Sequence, residues 1–216
     1  MEEGQVDFNS LIASSIHDMK NSLSLIIHAL DERAQEAHLQ CEAKRLNSKL
    51  IQLLCFYKMD KAMLSANREE WCVYDLLTEL LLQETPLLEA RDIEGELHCD
   101  EGLAWVFDRE LVSGALGNAL NNAIRHARHR LVLAAHCEGG ELIISIQDDG
   151  DGFPVGMLEN IASHRQNVSF SHGNTGLGLY FSHTIASMHR RDGRTGRVCL
   201  SNPGETGGAC FSLILP

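Results

Sequence analysis

Polar side chains interrupt an otherwise apolar helical pattern close to the start of the sequence. The stretch HDMKN (17–21) sets a histidine beside a carboxylate, and His17 and Asn21 share one helical face because they are four residues apart. A neutral imidazole is a nucleophile near pH 7, and a neighbouring carboxylate such as Asp18 can assist the loss of its second proton. The pattern therefore indicates either a histidine that becomes chemically modified or the ordinary polar face of an amphipathic helix.

Amide side chains line one face of a second predicted helix, at 108–127. Asn118 and Asn122 are four residues apart, and Gly114 lies four residues before Asn118. Amide oxygens suit a hard cation such as Mg²⁺, whereas simple helix polarity explains the same pattern without a ligand. Interior glycines at 114 and 117 each cost about 1 kcal/mol of helix propensity relative to alanine, so we expect close backbone packing there.

An acidic, glycine-containing loop, DDGDGFP (148–154), directly follows a predicted strand at 141–147. Gly150 and Gly152 allow the backbone to turn sharply and to approach a ligand closely. Asp148 ends the strand, where its carboxylate can accept a hydrogen bond from an exocyclic amine. A Ca²⁺ loop is the alternative, but the further acidic positions of an EF-hand loop are missing.

A second glycine-rich segment precedes the predicted helix near the end of HGNTGLGLYFSHTIASMH (172–189). Glycines at a helix start present free N–H groups and the positive end of the helix dipole to phosphate. The segment is not a P-loop, which needs Lys and Ser/Thr after its last glycine. No strand leads directly into it, so it is not a dinucleotide fingerprint. We interpret the small and polar residues between Gly152 and Gly173 as a mobile lid over a nucleotide.

Two apolar seams predict the elements that position the histidine. The first runs from Ile12 to Leu30 with spacings of 4, 3, 4, 3 and 4, and the second runs from Ala43 to Tyr57. Two antiparallel helices would leave an apolar stripe in water, so a dimer that forms a four-helix bundle is expected. We assign 1–68 to this helical domain and 69–216 to a second domain.

The second domain reads as helices over one face of an antiparallel sheet. Strands are predicted at 130–137 and 141–147, joined by Gly139–Gly140, and a second pair at 197–202 and 209–215. Another helix is predicted at 73–90, which Pro86 breaks or kinks.

Composition excludes several classes of protein. The 216 residues are 44% apolar and carry a formal net charge of −12, which argues against a general nucleic-acid binder. Seven scattered cysteines with no CxxC pair are typical of reduced thiols in a cytosolic protein, so we expect a cytoplasmic location. No apolar run approaches 18 residues, so no membrane insertion is predicted, and a separate sensory protein or a missing sensor domain would bring any external signal.

Four motifs, in order, resemble those of the transmitter core of two-component sensor histidine kinases. HDMKNSL (17–23) resembles the H-box, NALNNAIRHA (118–127) the N-box, DDGDGFP (148–154) the G1 box and NTGLGL (174–179) the G2 box. The resemblance spans nearly the whole chain. It implies an α+β protein: an N-terminal antiparallel helical hairpin that dimerises into a four-helix bundle, then a Bergerat-type α/β sandwich that binds ATP.

The resemblance also implies roles for the residues near the histidine. His17 would be the phosphoacceptor, and Asp18 would orient it and act as its base. Asn21 lies where the family places a Thr or Asn used in dephosphorylating the partner.

The ATP-binding roles implied by the resemblance fall on the other three boxes. Asn122 would be the Mg²⁺ ligand with Asn118 beside it, and Arg125 would reach the phosphates. Asp148 would bind the adenine amine. The pocket and the hinge of the lid would be shaped by four glycines: Gly150, Gly152, Gly176 and Gly178. Arg165 and His172 are candidates for contact with the γ-phosphate.

We therefore expect a homodimeric histidine kinase that autophosphorylates His17 with ATP and Mg²⁺ and donates the phosphoryl group to the receiver domain of a response regulator. Two alternatives keep the fold. One is a phosphotransferase or phosphatase that acts on a response regulator, and the other is a nucleotide-gated interaction module without kinase activity.

Overall fold

The computed structural model describes residues 65–162, 177–203 and 208–216, together with Met19, Asn21, Ser22, Leu46 and Cys55. The chain divides into two compact units, Ala66–Gln166 with Leu179–Pro216 and Met1–Ser65 with Asn167–Gly178. The five single residues are helical and belong to the smaller unit. The predicted helical hairpin and its pairing into a four-helix bundle otherwise lie outside the described residues.

Elements are numbered within the described residues. In chain order they are β1 (Glu69–Cys72), α1 (Val73–Ala90), β2 (Glu94–His98), β3 (Ala104–Phe107), α2 (Arg109–His126), β4 (Arg130–Glu138), β5 (Glu141–Asp148), α3 (Val155–Ala162), α4 (Leu177–Met188), β6 (Arg190–Arg191), β7 (Arg194–Thr195), β8 (Arg197–Ser201) and β9 (Cys210–Leu215). None of these helices combines the length and apolarity that crossing a membrane requires.

The main sheet has five strands in the order β2–β4–β5–β9–β8. The β4–β5 and β8–β9 pairs are antiparallel, as predicted. The expectation of a wholly antiparallel sheet is wrong, because β2 pairs with β4 in parallel. Helix α2 lies between these two strands in the sequence. It acts as a crossover connection, so that β4 starts beside the first residue of β2 and runs in the same direction. Two small antiparallel pairs, β1–β3 and β6–β7, were not predicted because strands of four and two residues carry little periodic signal.

One face of the sheet is covered and forms the core with α1 and α2. Alternate residues are buried on the three central strands: Leu131, Leu133 and Ala135 on β4, Leu142, Ile144 and Ile146 on β5, and Phe211, Leu213 and Leu215 on β9. Register places Ile144 between Ala135 and Leu213, so these side chains form continuous rows. Burial of each large side chain contributes about 1.5–3 kcal/mol. The pattern agrees with the predicted layer of helices on one face.

Of the two predicted effects of Pro86, a break or a kink, the break is not found, because helix α1 continues through this proline. Pro86 has no N–H to donate to the carbonyl of Leu82, which costs a hydrogen bond. Leu80 and Leu88 are both buried in the core, one on each side of the proline. Packing on both sides therefore holds the helix together across the missing bond.

Candidate functional site

Asp148 lies at the end of β5 on the covered face of the sheet. Leu142, Ile144 and Ile146 alternate with exposed or half-buried positions, and Asp148 continues the same series. It is only 6% exposed, and this burial raises the pKa of its carboxyl group above the usual value, although backbone N–H groups oppose the shift. Oδ1 accepts the N–H of Gly150 at 2.8 Å. The carboxyl group has a second oxygen, Oδ2, that can accept an amine of a ligand.

Glycines allow the backbone to close around this carboxyl group. A Cβ atom on Gly150 would lie 2.3 Å from the carbonyl oxygen of His126 and 2.8 Å from Oδ1 of Asp148. On the other side, Gly208 has φ of +107°, and a Cβ atom there would lie 2.4 Å from the carbonyl oxygen of Asp148. The loop after β5 therefore rests directly on the last turn of α2, and only glycine permits that approach.

The other two acidic side chains of the loop are satisfied within the protein. Partial burial raises the pKa of Asp149, but hydrogen bonds from the backbone N–H groups of Arg128, His129 and Arg130 outweigh this effect and lower the pKa overall. The N–H of Arg128 lies 2.7 Å from Oδ1 of Asp149. Asp151 forms an ion pair with the guanidinium group of Arg128. An acidic loop can therefore lie beside an anionic nucleotide, because two of its three charges are compensated.

The face of α2 that carries Asn118 and Asn122 runs toward the loop after β5. Asn118, Asn122 and His126 follow one another at four-residue intervals on one side of the helix, and the loop touches the carbonyl of His126. Asn122 thus precedes the loop contact by one turn, about 6 Å along the axis. Asn118 is half-buried, whereas Asn122 and Arg125 are exposed.

The expected close backbone packing at the two helix glycines is not found. A Cβ atom on Gly114, on the same side as Asn118, would make ordinary contact with the ring of Phe181, at 3.5 Å. A Cβ atom on Gly117 would meet no atom of the described residues within 4 Å. The helix is therefore open at Gly117 in the part of the chain that the structure describes, which leaves room there for a ligand.

These side chains fit a hard cation bound to phosphate. Mg²⁺ is usually held by one or two protein oxygens together with substrate phosphates and water, and the amide oxygens of Asn118 and Asn122 belong to this class of ligand. Arg125 lies three residues after Asn122, about one helical turn further on, and its side chain is exposed.

Asn202 was not predicted as a site residue, yet it fixes the loop after β5. Its Oδ1 accepts the N–H of Phe153 at 2.8 Å, and its Nδ2 donates to the carbonyl of Phe153 at 2.9 Å. Gly152 has φ of +83°, and a Cβ atom there would lie 2.9 Å from Nδ2 of Asn202. The Asn-Pro pair that ends β8 was the available signal, because it marks a turn.

A buried network that the sequence did not reveal anchors the start of α2. Asp108 caps the helix, with Oδ1 accepting the N–H of Leu111 at 3.0 Å and Oδ2 accepting the N–H of Asn67 at 2.7 Å. The N–H of Asp108 donates to Nε2 of His189 at 3.0 Å, while Nδ1 of His189 lies 2.8 Å from the carbonyl of Ile185. His189 must therefore be neutral with its proton on Nδ1, and burial lowers its pKa.

Several predicted residues lie outside the described part of the chain: His17, Asp18, Arg165, His172 and Gly176. Asn21 is an exposed helical residue of the smaller unit, and Gly178 is the second residue of α4. The described structure thus brings together Asp148, Gly150, Gly152 and the helix face of Asn118 and Asn122.

An α/β sandwich with an amide-bearing helix and a buried aspartate beside it defines a class of ATP-binding domain. Residues 107–216, half of the chain, match the model for the histidine kinase-, DNA gyrase B- and HSP90-like ATPases. The chain belongs to this family. The predicted Bergerat-type sandwich and the resemblance to sensor histidine kinases are confirmed.

Individual relatives agree with this assignment. The alginate biosynthesis sensor protein KinB of Pseudomonas aeruginosa is 27% identical over 215 residues, covering 95% of this chain and 35% of KinB. The chain thus spans about a third of the length of this curated relative. Full-length ShkA in complex with AMPPNP superposes with a TM-score of 0.66 at 19% identity, covering 96% of this chain and 45% of ShkA. Histidine kinase ThkA in complex with response regulator protein TrrA gives 0.64 at 18% identity, covering 96% and 61%.

Proposed function

We propose that this chain is a histidine kinase that phosphorylates its own His17 with ATP and then transfers the phosphoryl group to an aspartate of a response regulator. The observation that carries the proposal is the buried carboxyl group of Asp148, held at the end of β5 against the last turn of α2. This position gives a buried acceptor for an amine, with Gly150 and Gly208 allowing the backbone to approach it closely.

The nucleotide would lie along α2, with its purine at Asp148 and its phosphates toward the amide-bearing face. The Asp148 carboxylate accepts the exocyclic amine, while the N–H of Gly150 holds the carboxylate in place. Arg125 would contribute positive charge to the phosphates, and Asn122 with Asn118 would hold Mg²⁺. That ion supplies charge neutralisation for phosphoryl transfer when bound.

The chemical step would join the smaller unit's histidine to this site. One ring nitrogen of His17 attacks the γ-phosphorus, a P–N bond forms, and the bond to the β,γ-bridging oxygen breaks so that ADP leaves. The Asp18 carboxylate assists the loss of the proton from the other ring nitrogen. The phosphoryl group then passes from nitrogen to a carboxylate oxygen of the receiver domain. Asn21 would support a separate reaction, in which water hydrolyses the aspartyl phosphate of the receiver and inorganic phosphate leaves.

The proposal also includes the oligomeric state, the cellular location and the partners of the protein. A homodimer would cover the apolar seams of the N-terminal helices, and the protein would act in the cytoplasm on a signal that another protein or domain supplies. KinB is named as a sensor protein, and ThkA has been seen with a response regulator, which supports a receiver domain as the partner here.

Incubation of the full chain with γ-labelled ATP and Mg²⁺ tests the proposal. We expect acid-labile, alkali-stable label on the unaltered chain, none on His17→Ala, and unchanged label on His28→Ala, a histidine of the same predicted helix. ATP binding without label would overturn the kinase in favour of an interaction module. Loss of phosphate from a phosphorylated receiver, with no label on the chain, would instead favour a phosphatase.

A further inference from the structure

A pocket of about 490 Å³ lies at the end of the larger unit opposite Asp148. It is bounded by Trp105 of β3, by the β4–β5 turn at Gly139 and Gly140, and by the β6–β7 hairpin with Arg191 and Arg194. The eight residues of β5 separate this turn from Asp148 by about 24 Å. The volume falls within the range of about 300–1,000 Å³ that small-molecule sites occupy. The pocket is therefore large enough for a ligand and distinct from the candidate nucleotide site.

Two tight turns give this pocket a preformed shape. Gly139 and Gly140 have φ of +60° and +79°, and Asp192 and Gly193 have φ of +50° and +76°. Positive φ at both central residues defines the type I′ turn, which joins strands with little freedom. Nη1 of Arg194 donates to the carbonyl of Gly139 at 2.7 Å and so connects the two turns. One guanidinium group of the pocket is therefore held in place before any ligand binds.

The β6–β7 hairpin places two like charges directly opposite each other. Arg191 pairs with Arg194 across the hairpin, and like charges in that register are destabilising. Asp192 compensates Arg191 only weakly, because Oδ2 lies 3.6 Å from Nε and both side chains are largely exposed. Arg194 forms no ion pair with any residue that the structure describes, because the oxygens of Glu141 bind Arg197 at 2.7 and 2.8 Å, but its charge helps to lower the pKa of Glu141. The positive charge of this hairpin is thus only partly compensated, in a chain with a net charge of −12.

We propose that this pocket binds the phosphate group of a small ligand between the guanidinium groups of Arg191 and Arg194. Guanidinium groups present planar pairs of donors that match phosphate oxygens, and a bound anion removes the repulsion between the two arginines. Trp105 also lines the pocket, and its indole N–H donates to an oxygen of Pro216 at 3.3 Å. We expect the ligand to carry an apolar or ring-shaped part that contacts the ring of Trp105 beside its phosphate. This inference does not rest on the proposed kinase function.

Titration of the ¹⁵N-labelled full chain with inorganic phosphate and, separately, with phenyl phosphate tests the proposal. We expect saturable shifts of the Trp105 indole N–H and of the Gly139 and Gly140 amides with both probes. Phenyl phosphate should bind several-fold more tightly if the ring of Trp105 contributes. Equal affinity for both probes would assign the site to free phosphate alone. Binding of either probe near Asp148 would instead shift the amide of Gly150, so the two sites are distinguished in the same spectra.

Three variants separate specific binding from general charge. Arg191→Gln with Arg194→Gln should weaken binding about tenfold or more, because charge-assisted hydrogen bonds are lost. Arg130→Gln removes a positive charge at the far end of β4, where the guanidinium group pairs with Glu96, and should leave binding unchanged. Arg194→Glu places opposite charges across the hairpin, so the hairpin remains folded while binding is abolished. No saturable shift in the unaltered chain, or equal weakening by Arg130→Gln, would overturn the proposal.

Discussion

The two ends of strand β5 differ in the sign and in the burial of the charged groups around them. At the Asp148 end, a carboxyl group is buried, and backbone N–H groups hold the surrounding loop. At the turn end, arginine side chains are exposed and only partly paired. In this unit, a carboxyl group is buried where backbone N–H groups can hydrogen-bond to it, whereas the arginine side chains at the turn end remain exposed to water. The buried end is therefore suited to discriminating a ligand, and the exposed end to attracting one.

The largest expected effect comes from adding one methyl group at the buried end. Gly150→Ala would place a Cβ atom 2.3 Å from a backbone carbonyl, so the loop must move away from α2. We expect a loss of about 1–3 kcal/mol of stability, together with loss of nucleotide binding. Thermal unfolding and calorimetric titration with an ATP analogue measure the two effects.

Gly156→Ala is the matched control for this change. A Cβ atom on Gly156, in the first turn of α3, meets no atom of the described residues within 4 Å. Its nucleotide affinity should equal that of the unaltered chain, and its stability should be equal or slightly higher, because alanine has the higher helix propensity. If both variants behaved alike, the close approach of the loop to α2 would not matter for binding.

The next largest effect is expected for Asp148→Asn, which should change nucleotide affinity without a loss of stability. Asp148→Asn keeps an oxygen for the N–H of Gly150 but removes the buried charge. Because burial raises the folded-state pKa, protonation of Asp148 stabilises the fold fully below its ordinary pKa of 3.8, and this contribution is lost as the pH rises through the raised value. The variant should therefore be at least as stable at pH 7, yet bind ATP about tenfold or more weakly.

Denaturant titrations at pH 7 and pH 4 measure the stability difference, with Asp151→Asn as the control for an exposed carboxylate of the same loop. A variant that lost stability at pH 7 and kept its affinity would reverse the assignment of Asp148 as a ligand-binding group.

A smaller effect is expected at Asn202. Asn202→Asp keeps the acceptor for the N–H of Phe153 but loses the donor to its carbonyl, so we expect a loss of about 1 kcal/mol. Nucleotide affinity should fall a few-fold, because the loop is less firmly held. Calorimetry with an ATP analogue shows this, and an affinity equal to that of the unaltered chain would mean that Asn202 does not position the loop.

The long periodic elements of the larger unit were predictable, but its contacts were not. Strands β4 and β5 were predicted from their apolar pattern and the Gly139–Gly140 turn, and α2 lies within the helix predicted at 108–127. The role of His189 depends on a hydrogen bond to Asp108, 81 residues away in the chain, which no local pattern encodes. Likewise, only the folded chain shows that the carbonyl of His126 excludes a side chain at Gly150. The parallel pairing of β2 was missed because EGELH has no apolar alternation.

The smallest effect is a pH dependence at the start of α2. The lowered pKa of His189 means that its neutral form stabilises the fold above pH 6.5 and that this stability is lost as the pH falls toward the lower folded-state value. The charges that act on His189 are the Asp108 carboxylate, which opposes the shift, and Arg68, which favours it.

Denaturant unfolding between pH 7.5 and 5 should show a decline of at most about 1.4 kcal/mol per pH unit from this group. His189→Gln, which offers both a donor and an acceptor, should reduce the decline. An identical pH dependence in both proteins would show that His189 does not titrate in this range.

The central claim is that ATP binds at the Asp148 end of β5. The most direct measurement is a titration of the ¹⁵N-labelled chain with Mg²⁺ and AMPPNP, following backbone amides at both ends of the strand. The account predicts large shifts at Gly150 and Asp149 that saturate at a lower nucleotide concentration than any shifts at Gly139 and Gly140, and loss of the Gly150 and Asp149 response in Asp148→Asn. Shifts confined to the turn end, or a full response in Asp148→Asn, would contradict it.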